Sequence, residues 1–176
     1  IKTSNGPIWL TVPVESSDRF SKDIADIKII NNDWHYKHLK SIELNYKKTF
    51  FFELYFERFK NILEKKHEYL VDLNFDILIF LLEILEINTK VIKASDYSFS
   101  GEKSGLVLDM CVQLNSDIYI FGEQGKGYAD TDSFLQKKII PYFQEYKHPI
   151  YHQIRGDFEP YMSVLDLIFN IGPRCK

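Results

Sequence analysis

The sequence predicts an α/β domain: a mainly parallel sheet flanked by helices, with an N-terminal hairpin and a helical segment ahead of it. Three observations predict this. From residue 89 onward, strand-like and helix-like stretches alternate, the pattern of parallel strands joined by crossover helices. Before them, three successive segments place apolar residues at helical spacing. At the start, two extended stretches flank Ser4-Asn5-Gly6-Pro7, where Asn-Gly supplies the positive φ of a tight turn.

The hairpin's second strand is expected from Ile8 to Val14, followed by a polar loop over 15–26 and a short strand from Ile27 to Ile30. Asn31-Asn32-Asp33 then offers a side-chain cap to a helix from Trp34 to about Lys48. His35, Leu39, Ile42 and Tyr46 fall on one face of it. A second helix runs through FFFELYFERFKNILEKK. The third, LVDLNFDILIFLLEIL, is apolar over so much of its circumference that it is expected in the core. Beyond it come a strand TKVIKAS, a helix SGLVLDMCVQL, a buried strand SDIYIFG, the loop GEQGKGY, a helix DTDSFLQKK and a strand IIPYFQEY. SVLDLIFN closes the chain as a short helix, capped by Ser163 and ended by Gly172-Pro173.

Composition narrows the function. At 176 residues, 45% hydrophobic and 15% aromatic, the chain can bury a real core as one domain. A net charge of −3 argues against general nucleic-acid binding, which needs a basic face. Cys111 and Cys175 form no CxxC pair, which favours a reduced, cytoplasmic setting. LIFLLEILEI, broken by Glu83 and Glu86, is too short to cross a bilayer. No GxSxG, HExxH or kinase signature is present.

The candidate chemistry gathers in YKHPIYHQIRGDFEP, 146–160, which two prolines and a glycine keep irregular. His148 and His152 share an i, i+4 offset, but Pro149 denies them a helical face, so no zinc pair is expected. An imidazole titrates near neutrality and suits acid–base work. Arg155 is one of four arginines among 22 basic residues; its planar fork can grip a carboxylate or phosphate, or bridge Asp157, Glu159 or Asp166. Asp166 lies in an apolar helix and needs partners, with Asn170 one turn away. Bracing the loop and orienting a catalytic histidine look alike here.

Two loops are weaker candidates. Gly122, Gly125 and Gly127 would let backbone amides approach an anion, with Lys126 adding charge and Tyr128 closing the loop. Asp130 and Asp132 beside it oppose a phosphate, and the spacing matches no phosphate-loop signature. Ser95 and Asp96 follow a strand, where parallel sheets place ligands, yet a plain turn explains them better. Trp34, Lys37 and His38 form a polar-aromatic group in which His38 can point into a cleft.

Several of these stretches together resemble the WbqC-like protein family, bacterial proteins often encoded in O-antigen and other surface-polysaccharide clusters. The resemblance rests on NGPIWLTVPV, on Trp34, Lys37, His38, Asn45 and Tyr46, on Ala94 to Asp96, and on DIYIFG with GKGY. It is most specific in YKHPIYHQIRGDFEPYMSVLDLIFNIG and covers essentially the whole chain. Gln124 and Gly127 depart from the family pattern, where glycine and a polar residue are common. Family members usually begin with a further segment rich in Gln, Pro, Tyr and Asp, so the resemblance implies a single domain incomplete at its N-terminus.

The resemblance also implies a role in transferring an aminoacyl or acyl group to an amino sugar of a nucleotide- or lipid-linked precursor. In that scheme His148 deprotonates the attacking amine and Asp166 orients it. Arg155 holds a carboxylate or phosphate; Tyr151 and Gln153 bind sugar hydroxyls, joined by Ser95, Asp96 and His38. The 122–128 loop takes the phosphates of a nucleotide-sugar or acyl donor, and no metal is required. The alternatives are a non-catalytic sugar-nucleotide-binding or assembly protein of the same pathway, and nucleotidyl transfer.

Overall fold

A computed structural model describes residues 1–15 and 22–172 of the chain. They separate into two compact units: Ile1–Asn88 with Pro149–Lys176, and Thr89–His148. Six helices and two two-stranded sheets are formed among the described residues.

In the first unit, β1 (Lys2–Thr3) pairs antiparallel with β2 (Gly6–Pro7). Gly6 takes φ +100°, as the Asn-Gly turn requires, and Thr3 Oγ1 donates to the Gly6 carbonyl at 2.7 Å. The expected strand from Ile8 to Val14 does not form. Only Val14 bridges, to Ile29, and Lys28 bridges in turn to Tyr69. Pro7 and Pro13 each withhold an amide from any ladder, which confines pairing to short pieces. Most of the loop expected over 15–26 lies outside the described residues.

Helices α1 (Trp34–Tyr46), α2 (Phe52–Glu64), α3 (Leu70–Ile84) and α6 (Val164–Ile171) build the rest of this unit. Central to it is α2, which packs on α1, α3 and α6. Its buried Phe52, Tyr55, Phe56, Phe59 and Leu63 recur at helical spacing. Phe52 stacks on Phe56 at 4.3 Å between ring centres and meets Phe169 of α6 at 5.2 Å. The expected side-chain cap of α1 is absent: Asp33 stands at the N-cap in a left-handed conformation, φ 58°, and makes no cap bond. Ser163 does cap α6, accepting from the Leu165 amide at 3.2 Å, and Gly172 ends it; Pro173 lies outside the described residues. α3 lies in the core as expected, though not on every face: Leu73, Phe80 and Ile84 join the core cluster, with Ile77 and Leu81 packed against it. Leu78 is 41% exposed.

In the second unit, β3 (Ile118–Phe121) and β4 (Ile140–Phe143) lie parallel in the register Ile118 to Ile140, joined through α5 (Thr131–Gln136). Together with α4 (Lys103–Gln113) they bury Cys111, Phe121, Phe134 and Ile139. The mainly parallel sheet of the sequence reading is thus, among the described residues, one pair of strands. TKVIKAS is not a strand but an unpaired stretch ending in a 3₁₀ turn at Ala94–Asp96. Its run of Val and Ile has the right propensity, but no neighbouring edge pairs with it.

Candidate functional site

Residues 151–159 of the irregular segment hydrogen-bond around a buried polar centre whose hub is Asp166. This carboxylate is fully buried. Tyr46 donates its hydroxyl to Oδ1 at 2.8 Å; Tyr151 and Gln153 donate to Oδ2 at 2.8 and 2.9 Å. Burial, followed by the charge of Asp166, holds the Tyr46 phenol well above its ordinary range, so it remains a donor. Gln153 uses its carboxamide completely. Nε2 also donates to the Glu159 carbonyl at 2.8 Å, and Oε1 accepts from the Glu159 amide at 2.8 Å and from Lys2 Nζ at 3.0 Å.

Lys2 is the participant that sequence reasoning missed. It is buried, gives its backbone N–H to Tyr46 Oη at 2.8 Å, and extends its ammonium to Gln153 and the Asp157 carbonyl. A lysine at the second position of a polar hairpin looks solvated in sequence. Lys2 and Asp166 are bridged through Gln153, so ammonium and carboxylate share a hydrogen-bonded path.

Arg155 does not bridge Asp157, Glu159 or Asp166 as one reading expected. It donates to Asn45 Oδ1 at 3.3 Å and to the Leu44 carbonyl at 3.2 Å, closing the C-terminal end of α1, where a cation is favoured. Asn170 ties the same region together: Nδ2 donates to the Asp166 carbonyl at 2.7 Å, and Oδ1 accepts from the Ile154 amide at 2.9 Å. Tyr151, Gln153, Arg155 and Asp166 are therefore gathered in the first unit.

Apart from His38, which is in the first unit, the other expected residues belong to the second. His148 is half-buried, with its ring edge-on to Tyr146 at 6.0 Å. Ser95 and Asp96 are exposed in the 3₁₀ turn, held by main-chain bonds such as Asp96 N–H to the Lys93 carbonyl. The glycine-rich loop forms a 3₁₀ segment, Glu123–Gly127, that uses its amides internally: Gly125, Tyr128 and Ala129 all donate to main-chain carbonyls of the same loop. Lys126 pairs with Glu145 at 3.5 Å, and Tyr128 is exposed. Gly125 is required by packing, because a Cβ there would lie 2.6 Å from Phe121 Cβ. Gly125→Ala is expected to lower the unfolding free energy of this unit by about 2 kcal/mol. An unchanged urea midpoint would show that the loop yields instead.

Beside the Asp166 network, the first unit holds a cavity of about 610 Å³. Its walls are the inner face of α3 (Leu73, Ile77, Leu81), Phe59 and Leu63 of α2, and the 160–163 segment. The cavity accounts for the apolar Ile77 and Leu81 of α3, but not for the exposed Leu78, which does not line it. The few polar side chains at the wall are His38, Asn74, Tyr161 and Ser163, with the indoles of Trp9 and Trp34. Burial lowers the His38 pKa from its usual 6.5, partly offset by a hydrogen bond to the Thr11 backbone, so the imidazole is neutral at pH 7. Trp34 meets it edge-on at 5.0 Å. An apolar cavity with a few convergent polar groups and one perturbed histidine is the common form of a small-molecule site. Of the sequence candidates, His38 alone lines it. No cluster of His, Cys, Asp or Glu fit to hold a metal occurs among the described residues.

The architecture defines a mixed α/β protein with an apolar cleft, its wall braced by a buried carboxylate. No helix among the described residues is long and apolar enough to cross a membrane. The chain belongs to the WbqC-like protein family, whose pattern matches residues 1–176. It is 33% identical over 174 residues to the uncharacterized protein Rv1507c of Mycobacterium tuberculosis (strain ATCC 25618 / H37Rv), covering 98% of this chain and 75% of that one. No solved structure matches it.

Proposed function

We propose that this protein is a cytoplasmic transferase that moves an acyl or aminoacyl group from an activated donor to the amine of an amino sugar, during surface-polysaccharide assembly. The observation that carries this reading is the neutral imidazole of His38 at the wall of the apolar cleft. The cleft takes the apolar part of the acyl group. With one ring nitrogen fixed by Thr11, the other accepts a proton. As the amine nitrogen bonds to the acyl carbon, it releases that proton to His38. The bond to the donor's leaving group breaks with its electron pair, and His38 returns the proton to the leaving group.

Asp166, Gln153 and Tyr151 serve this scheme as the brace of the wall segment, because their hydrogen-bonding groups are occupied within the fold. The base role that the sequence reading gave to His148 passes to His38, on the strength of the cavity. Acyl transfer is followed by mass spectrometry of the amino sugar, with acyl and aminoacyl donors of graded chain length. His38→Gln is expected to lower kcat about a hundred-fold with the fold intact. Because the folded pKa of His38 is depressed, it loses its function as base only below the ordinary value of 6.5, so the acid limb of the rate lies under that pH. Wild-type turnover by a folded His38→Gln protein would remove this mechanism.

A second reading is a binding protein of the same pathway. It is favoured by the cleft's scarcity of groups that titrate near neutrality, since among its lining side chains only His38 is of that kind. Saturable binding of acylated ligands without product would decide for it.

A further inference from the structure

The first unit carries a second cavity of about 490 Å³, lined chiefly by polar side chains. It opens between the N-cap and first turn of α1, which bring Asp33, His35 and Tyr36, and the end of α2 with the residues after it, which bring Glu64, Lys66 and His67. Neither the transferase reading nor the family resemblance uses these residues.

His67 is the informative one. Only 3% of its side chain is exposed. Nε2 lies 2.8 Å from Asp76 Oδ2, an oxygen that also takes Lys65 Nζ at 2.7 Å. An ionised carboxylate accepts and cannot donate, so Nε2 bears a proton, and in the neutral ring Nδ1 then carries the lone pair. Among the described residues Nδ1 has no hydrogen-bond partner, and the ring lines the cavity. The structure has fixed a histidine tautomer and left its acceptor nitrogen for a ligand donor.

The charges restrict that ligand. Lys65 is committed to Asp76, which leaves Asp33 and Glu64 facing Lys66 alone. Excess negative charge disfavours phosphate and carboxylate ligands. The cavity also offers flat aromatic surface: Tyr36 is 59% exposed, with its ring 4.2 Å from that of His35. Several acceptors, one ammonium beyond the Lys65–Asp76 pair and an aromatic face suit a molecule with many hydroxyls and an apolar C–H face. We infer that this cavity binds a sugar unit, with His67 Nδ1 accepting a hydrogen bond from one hydroxyl, Asp33 and Glu64 accepting from others, and the sugar face resting on Tyr36. The inference concerns binding alone and stands whether or not acyl transfer occurs.

Side-chain NMR of the whole chain tests it, with glucose, glucosamine, N-acetylglucosamine and inorganic phosphate added separately at tens of millimolar. At least one sugar is expected to shift the His67 and Tyr36 resonances saturably, and phosphate is not. His67→Ala is expected to weaken that binding about ten-fold, the size of one lost hydrogen bond to a buried acceptor. Since His67 also holds Asp76, the exposed substitution Asp33→Asn serves as a control for folding and is expected to weaken it about three-fold. Silence at His67 with every sugar overturns the inference. So does a response to phosphate alone, or a sugar response confined to His38 and Trp9, which would place the sugar in the apolar cleft. A failed acyl-transfer assay leaves it intact.

Discussion

Asp166→Ala is expected to destabilise the first unit by about 4 kcal/mol, measured by urea unfolding followed through tryptophan fluorescence. The carboxylate is fully buried and receives Tyr46, Tyr151 and Gln153. Removing it strands three donors in a place that water reaches poorly, and each stranded group costs about 1–3 kcal/mol. Lys2 keeps the Asp157 carbonyl and Gln153 but loses the carboxylate to which Gln153 linked it. Asp166→Asn keeps the shape but turns an N–H₂ group toward these donors, so about half the loss is expected. A loss below about 1 kcal/mol for the alanine variant would mean that the network relaxes around water, and that the brace is dispensable.

The second large effect is expected at Gly172. This residue ends α6 with φ 58° and ψ −136°, a conformation that side chains other than hydrogen avoid. A Cβ would also lie 2.4 Å from two atoms of the Phe51 ring. Strain and overlap together give Gly172→Ala an expected cost of about 3 kcal/mol in the same assay. Pairing it with Phe51→Ala removes the overlap but not the backbone strain, so the cost of Gly172→Ala should shrink in the Phe51→Ala background without vanishing. If the single variant unfolds at the wild-type midpoint, the close approach of α6 to Phe51 is wrong.

The helices were legible because they announce themselves locally. The aromatic ladder of α2 and the Ser163 cap of α6 need no knowledge of the rest of the chain. Strands depend on a partner edge, and there reading failed: TKVIKAS and Ile8 to Val14 have strand-like residues but no ladder to join. The same contrast divides the site. That residues within 146–160 gather at a polar centre could be read from its composition, as could the need of Asp166 for partners. Their identity could not, because Lys2 and Tyr46 come from the far end of the chain. Arg155 was given a ligand's carboxylate and instead closes α1, since helix ends accept guanidinium as readily as anions do. The cleft was hidden in the excess apolar surface of α3, which reads as core in a sequence that shows no voids.

The bond from Tyr46 to Asp166 spans 120 positions and that from Lys2 to Gln153 spans 151, with the whole Thr89–His148 unit threaded between their ends. On a ribosome, which delivers the chain from its first residue, the inserted unit has all its strands and helices in hand while its host still lacks a keystone helix. Until α6 emerges, the cleft-forming helices α1 to α3 must wait with apolar flanks uncovered. Truncations or stalled chains ending before residue 163 should therefore be the forms that chaperones retain, and the interior insert the part that resists protease in them.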